Sequence, residues 1–126
     1  MFIEHIYTQN ILLYSILKKI NEIGNCTEMY KIFYTVRGVI ITIDGQGTQY
    51  DFISRYFAPW VGIPEDPVTG SVHTVLVPYW SQQLKKNEFF ARQSSPRGGE
   101  LALKLNNDHI LIQGQGTIVL SGSLHL

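Results

Sequence analysis

Residues 65–73 read Glu65-Asp66-Pro67-Val68-Thr69-Gly70-Ser71-Val72-His73, placing two carboxylates, two hydroxyls and an imidazole within nine positions. Pro67 restricts the residue before it to extended backbone, so Asp66 is displayed on a stiff turn. A long apolar segment follows, which puts Thr69, Gly70 and Ser71 at a helix start. There, unpaired backbone N–H groups and the positive end of the helix dipole converge. The combination is an anion cradle with a carboxylic acid at its rim. A small carboxylate substrate suits it: Gly70 lets the ligand approach the backbone, Ser71 adds a hydroxyl donor, and Asp66 can give or take a proton beside it. The same residues also suit a purely structural part, with Thr69 or Ser71 as an N-cap and Asp66 as a first-turn acid favoured by the dipole. His73 reads either as a core histidine bonded to a neighbouring strand or as a catalytic group.

Other candidates are thinner. Arg55, Arg92 and Arg97 have the geometry to bind carboxylates but also read as surface or turn residues. Cys26 is the single cysteine, has no basic neighbour in sequence, and excludes an internal disulfide. No set of cysteines and histidines has zinc-ligand spacing, so no metal is expected. Ten basic residues balance ten acidic ones and are scattered. That gives no footprint for nucleic acid or for an anionic membrane. The apolar run at residues 11–17 is too short to span a bilayer and lacks a basic flank, so no membrane segment or signal peptide is expected. A cytoplasmic setting fits this cysteine usage.

These groups need a scaffold, and 126 residues with 44% hydrophobic content suffice for one core in a single domain, 1–126. Residues 10–23 carry Ile11, Leu12, Tyr14, Ile16, Ile20 and Ile23 at helical offsets, with Gly24-Asn25 as a stop, which predicts an amphipathic N-terminal helix. From residue 31 the texture changes to β-branched and alternating residues. It predicts strands broken near Arg37-Gly38, a hairpin at Asp44-Gly45-Gln46-Gly47 and a second strand from residue 48 to 57. Residues 70–85 are apolar nearly all round at helical spacing, which predicts a buried helix in spite of Pro78. Strands return at residues 88–94, 100–105, 110–113 and 117–120. The short connections argue for antiparallel pairing. The expected fold class is α+β, a mostly antiparallel, barrel-like sheet wrapped around one central helix. Gly-Gln-Gly-Thr occurs at 45–48 and again at 114–117, which reads as two independent turns.

Three stretches together point further: residues 50–59, YDFISRYFAP; residues 62–73, GIPEDPVTGSVH; and residues 93–99, QSSPRGG, with Tyr79-Trp80 between the last two. In order and spacing they resemble the C-terminal domain of the phenazine-biosynthesis PhzF-like family, with the match clearest over 38–124. The resemblance implies one half of a diaminopimelate epimerase-like fold, in which two pseudo-symmetric domains enclose an active site. It further implies cofactor-independent isomerisation of a small carboxylic acid by proton shift. Asp66 matches the motif aspartate of one wall, Gly70 and Ser71 match substrate-holding positions, and His73 matches a motif histidine. The glutamate that the family carries on the facing domain has no counterpart here, since neither Glu4 nor Glu22 sits in a matching context. The chain is therefore expected either to complete a site with a second copy or an N-terminal half-domain, or to be an inactive remnant serving in binding or oligomerisation.

Overall fold

The computed structural model describes residues 3–8, 11–16 and 37–124. Seven strands follow one another in space as in sequence: β1 (Ile3–Thr8), β2 (Ile11–Ile16), β3 (Gly38–Asp44), β4 (Phe52–Phe57), β5 (Glu88–Gln93), β6 (Gly99–Asn106) and β7 (His109–Gly114). One helix, α1 (His73–Leu84), lies between β4 and β5 in sequence. β1 and β7 end the strand order, so the sheet is open and is not the expected barrel.

The sheet is also mixed. β1–β2, β3–β4, β5–β6 and β6–β7 pair antiparallel, whereas β2–β3 and β4–β5 run parallel. A parallel pair needs a crossover. For β4 and β5 the segment 58–87, with α1 inside it, is that crossover.

β3 is the most enclosed of the strands with described side chains: Gly38, Val39, Ile40, Ile41 and Thr42 are all buried. An unbroken apolar run is what a strand flanked by partners and covered on both faces requires. β4 alternates instead, turning Phe52, Ser54 and Tyr56 to the core. The expected β3–β4 hairpin is present, with a longer loop than two glycines need. Gly45 N–H donates to Asp51 C=O at 3.0 Å, Thr48 N–H to Gly45 C=O at 2.9 Å, and Gln46 N–H to the Asp44 carboxylate at 2.8 Å. A Cβ at Gly45 would collide with the Tyr50 carbonyl, so close approach fixes glycine there.

α1 packs on the face made by Ile40, Phe52, Phe89, Ala91, Leu101 and Leu103 through its own Leu76, Val77 and Trp80. Phe52 stacks on Trp80 at 5.6 Å between ring centroids, and the Trp80 indole N–H donates to Thr42 Oγ1 at 3.0 Å. Thr74, Gln82 and Gln83 face solvent, so the sheet covers the helix on one side. The helix passes through Pro78 to Leu84.

Two further expectations are corrected. Residues 11–16, read as the start of an amphipathic helix, form β2. The run Ile11-Leu12-Leu13-Tyr14-Ser15-Ile16 has almost no polar spacing, fits either period, and is settled by pairing on both edges. Residues 17–23 of that expected helix, and Cys26, lie outside the described residues. Residues 117–120, read as a strand, pair with nothing among the described residues and are exposed.

Candidate active site

The motif loop leaves β4 through Ala58 and a 3-10 turn at Pro59–Val61, which Gly62 ends in the left-handed region at φ 84°. It then crosses to α1. Asp66 is anchored on both sides of its backbone: its N–H donates to Tyr56 C=O at 3.0 Å, and its C=O accepts from Gln93 Nε2 at 2.7 Å. One bond reaches β4 and the other β5, so the turn straddles the parallel pair. Ser95 Oγ donates to Pro67 C=O at 2.8 Å. A Cβ at Gly99 would collide with Val68. The two sequence stretches 62–73 and 93–99 are therefore one physical unit, the second holding the first.

The two adjacent carboxylates have different fates. Glu65 is taken up by a two-pronged pair with Arg55, Nε to Oε1 at 2.7 Å and Nη2 to Oε2 at 2.8 Å, with both side chains largely buried. Asp66 instead accepts the Thr69 hydroxyl on Oδ2 at 2.6 Å. Its other oxygen, Oδ1, takes no hydrogen bond among the described residues. The reading of Thr69 or Ser71 as a cap does not match this geometry, because no side chain caps α1 and the Thr69 hydroxyl points back at Asp66.

α1 begins with a tightened turn, His73 N–H to Gly70 C=O at 3.1 Å and Thr74 N–H to Ser71 C=O at 3.2 Å. Ahead of it the amides of Gly70 and Ser71 take no backbone partner among the described residues, and both residues are exposed. Gly70 has no positive φ, and a Cβ placed on it would meet nothing. Neither backbone conformation nor packing within the chain demands glycine here.

His73 stands behind this rim and is fully buried. Its Nδ1–H donates to Thr69 C=O at 2.8 Å, a bond to its own preceding turn and not to a strand. Burial pushes its pKa down, against the smaller opposing effect of the Thr69 and Gly70 backbone bonds. The ring is therefore neutral at pH 7, and its buried Nε2 has no partner. Above about pH 6.5, the ordinary histidine value, both folded and unfolded states are neutral and the contribution is complete. As pH falls, the unfolded state takes up the proton first and stability is lost, at no more than about 1.4 kcal/mol per pH unit. Urea midpoints compared at pH 7.5 and 5.5 should show this loss in the wild type, and His73→Gln should remove that share of it.

Three residues of the site went unassigned in the sequence. Gln93 is fully buried and holds Asp66 and Thr69 at once. It shares the inward face of β5 with Phe89 and Ala91, so an amide at an inward strand position was the available signal. Tyr56 packs where a Cβ on Gly38 would sit, and burial raises its hydroxyl's pKa, with Asp66 adding to the rise and Arg37 opposing it. Glu65 was visible as a carboxylate but not as the partner of Arg55. Of the other arginines, Arg92 lies 3.7 Å from Glu100 and over the Tyr50 ring, while Arg97 lines an open groove with Val68 and Gly99. Among the described residues no group of three or more His, Cys, Asp or Glu could hold a metal ion, and no helix is long and apolar enough to cross a membrane.

The model of the family described as phenazine biosynthesis-like protein matches residues 20–122. This chain belongs to that family. Phenazine biosynthesis-like domain-containing protein 1 of Mus musculus is 60% identical over 94 residues, 71% of this chain and 33% of its own length. An uncharacterised isomerase of Halalkalibacterium halodurans is 53% identical over 90 residues, covering 71% and 34%. Among solved structures, a PhzF-family protein of Enterococcus faecalis superposes with a TM-score of 0.74 at 35% identity, over 84% of this chain and 41% of that one. A putative phenazine biosynthesis protein of Clostridium difficile gives 0.69 at 35% identity, over 90% and 46%. The chain thus spans about a third of the length of these curated relatives.

Proposed function

We propose that this chain supplies one wall of the active site of a proton-shifting isomerase that acts on a small carboxylic acid without a cofactor. The observation that carries the reading is the Asp66 carboxylate, pinned at Oδ2 by Thr69, in the same short loop as the open amides of Gly70 and Ser71. In this reading the two amides, with the Ser71 hydroxyl, hold the substrate carboxylate, and Asp66 exchanges a proton with a substrate carbon. Thr69 and His73 support the rim from behind. The proton that leaves one carbon returns to another, so atoms and charge balance with no redox partner. A second acid/base group must face Asp66, and a complementary half-domain or a second copy would provide it. The isomerase name of the bacterial relative supports the reaction class.

Deuterium exchange tests the reading. The chain is incubated in D2O with small unsaturated carboxylic acids, alone and mixed with the segment of the Halalkalibacterium protein that it does not match. The expected result is incorporation of deuterium at carbon in the mixture. No incorporation in any combination overturns the reading.

A second reading, a binding or oligomerisation module, is favoured by one feature. Ile118, Val119 and Leu120, with Leu124 four residues on, are 84 to 93% exposed, apolar side chains that a chain acting alone would hide. Association through this stretch should show in sedimentation velocity as a species heavier than the 14.3 kDa monomer. Ile118→Ser with Leu120→Ser should return it to monomer, whereas a wild type that sediments as monomer at all concentrations removes this reading.

A further inference from the structure

We propose that Gln93 is a positioning residue that sets the direction in which Asp66 presents its carboxylate, an inference that rests on reading Asp66 as the acid/base group. The Gln93 side chain has no exposure to solvent and makes three hydrogen bonds. Its Oε1 accepts from Thr69 N–H at 2.8 Å, and its Nε2 donates to Asp66 C=O at 2.7 Å and to Thr69 Oγ1 at 3.1 Å. A backbone N–H can only donate and a backbone carbonyl can only accept, so these two groups fix which end of the amide is oxygen and which is nitrogen.

The consequence passes to the carboxylate. Because Nε2 donates into Thr69 Oγ1, that oxygen acts as acceptor towards Gln93. The single Thr69 hydroxyl proton is left to point at Asp66 Oδ2, 2.6 Å away. His73 Nδ1–H takes the remaining polar atom of Thr69, its carbonyl oxygen, at 2.8 Å. Every polar atom of Thr69 is thereby engaged, and its hydroxyl has no freedom to turn towards a ligand. With Oδ2 held, Oδ1 is the oxygen turned to proton transfer. A buried amide on β5 thus specifies the working oxygen of a carboxylate on another loop, through one intervening hydroxyl.

Three-bond couplings between backbone nitrogen and Cγ report the Asp66 χ1 rotamer in solution, independently of any activity. The wild type should show one rotamer. Gln93→Leu and Thr69→Val should show averaged couplings, and Thr69→Ser, which keeps the hydroxyl, should restore the single rotamer. If Gln93→Leu does not fold, the Thr69 pair decides. Averaging in the wild type, or one fixed rotamer in Thr69→Val, overturns the proposal. In the exchange assay the two averaged variants should lose at least about tenfold in rate at unchanged KM, with Thr69→Ser near wild type. If the rotamer pattern holds and no variant or wild type exchanges deuterium, the isomerase reading fails and the Gln93 relay stands.

Discussion

Phe52→Ala is expected to cost about 3–5 kcal/mol of folding stability, the range for deleting a fully buried aromatic ring. Phe52 has no solvent exposure and sits where the sheet meets the helix. Trp80 stacks on it at an interplanar angle of 7°, Phe89 meets it edge-on at 5.9 Å, and the His73 ring lies 6.2 Å away. Four rings from β4, α1 and β5 share this contact, so the cavity left by alanine cannot be closed by one side chain moving. Domains of this size are stable by only about 5–15 kcal/mol, and the loss would take a large part of that. Urea denaturation should show a lower midpoint with an unchanged slope. A loss below about 1 kcal/mol would mean that the helix does not seat on the sheet through this ring.

The same packing explains what could be read from the sequence and what could not. Strands β3 to β7 were legible because their inward residues alternate or, in β3, form an unbroken apolar run between polar turns. The helix was legible because residues 70–85 are apolar nearly all round at helical spacing, although the sheet covers it on the side of Leu76, Val77 and Trp80 and leaves Thr74, Gln82 and Gln83 exposed. The two parallel pairs were not, since that needs knowledge of which strands a crossover returns to. Residues 11–16 and 117–120 mark the limits of local pattern. Both are apolar stretches, yet the first gains two strand neighbours while the second gains none among the described residues. At the site, Asp66, Gly70 and Ser71 could be named from their types and order. The clamp could not, because Gln93 lies 24 to 27 positions from the groups it bonds and strand periodicity says only that it points inward.

Asp66→Asn should lower the deuterium-exchange rate of the completed site by about 10²- to 10⁴-fold, the usual contribution of a positioned acid/base group. At 1.36 kcal/mol per tenfold, this adds about 3 to 5 kcal/mol to the barrier. The change is chosen because it leaves the scaffold alone. Asparagine has the same shape, its side-chain oxygen can still accept the Thr69 hydroxyl, and the backbone bonds to Tyr56 and Gln93 do not involve the side chain. The urea midpoint should therefore stay close to wild type, as should KM, since the carboxylate of the substrate is held by Gly70 and Ser71 in this reading. What asparagine cannot do is take a proton from carbon. Loss of rate with stability and KM retained would place Asp66 at the reacting carbon. A variant that keeps more than about a tenth of the rate would assign Asp66 to the architecture of the loop, alongside Glu65 and its arginine, and would move the search for the acid/base group to the facing half.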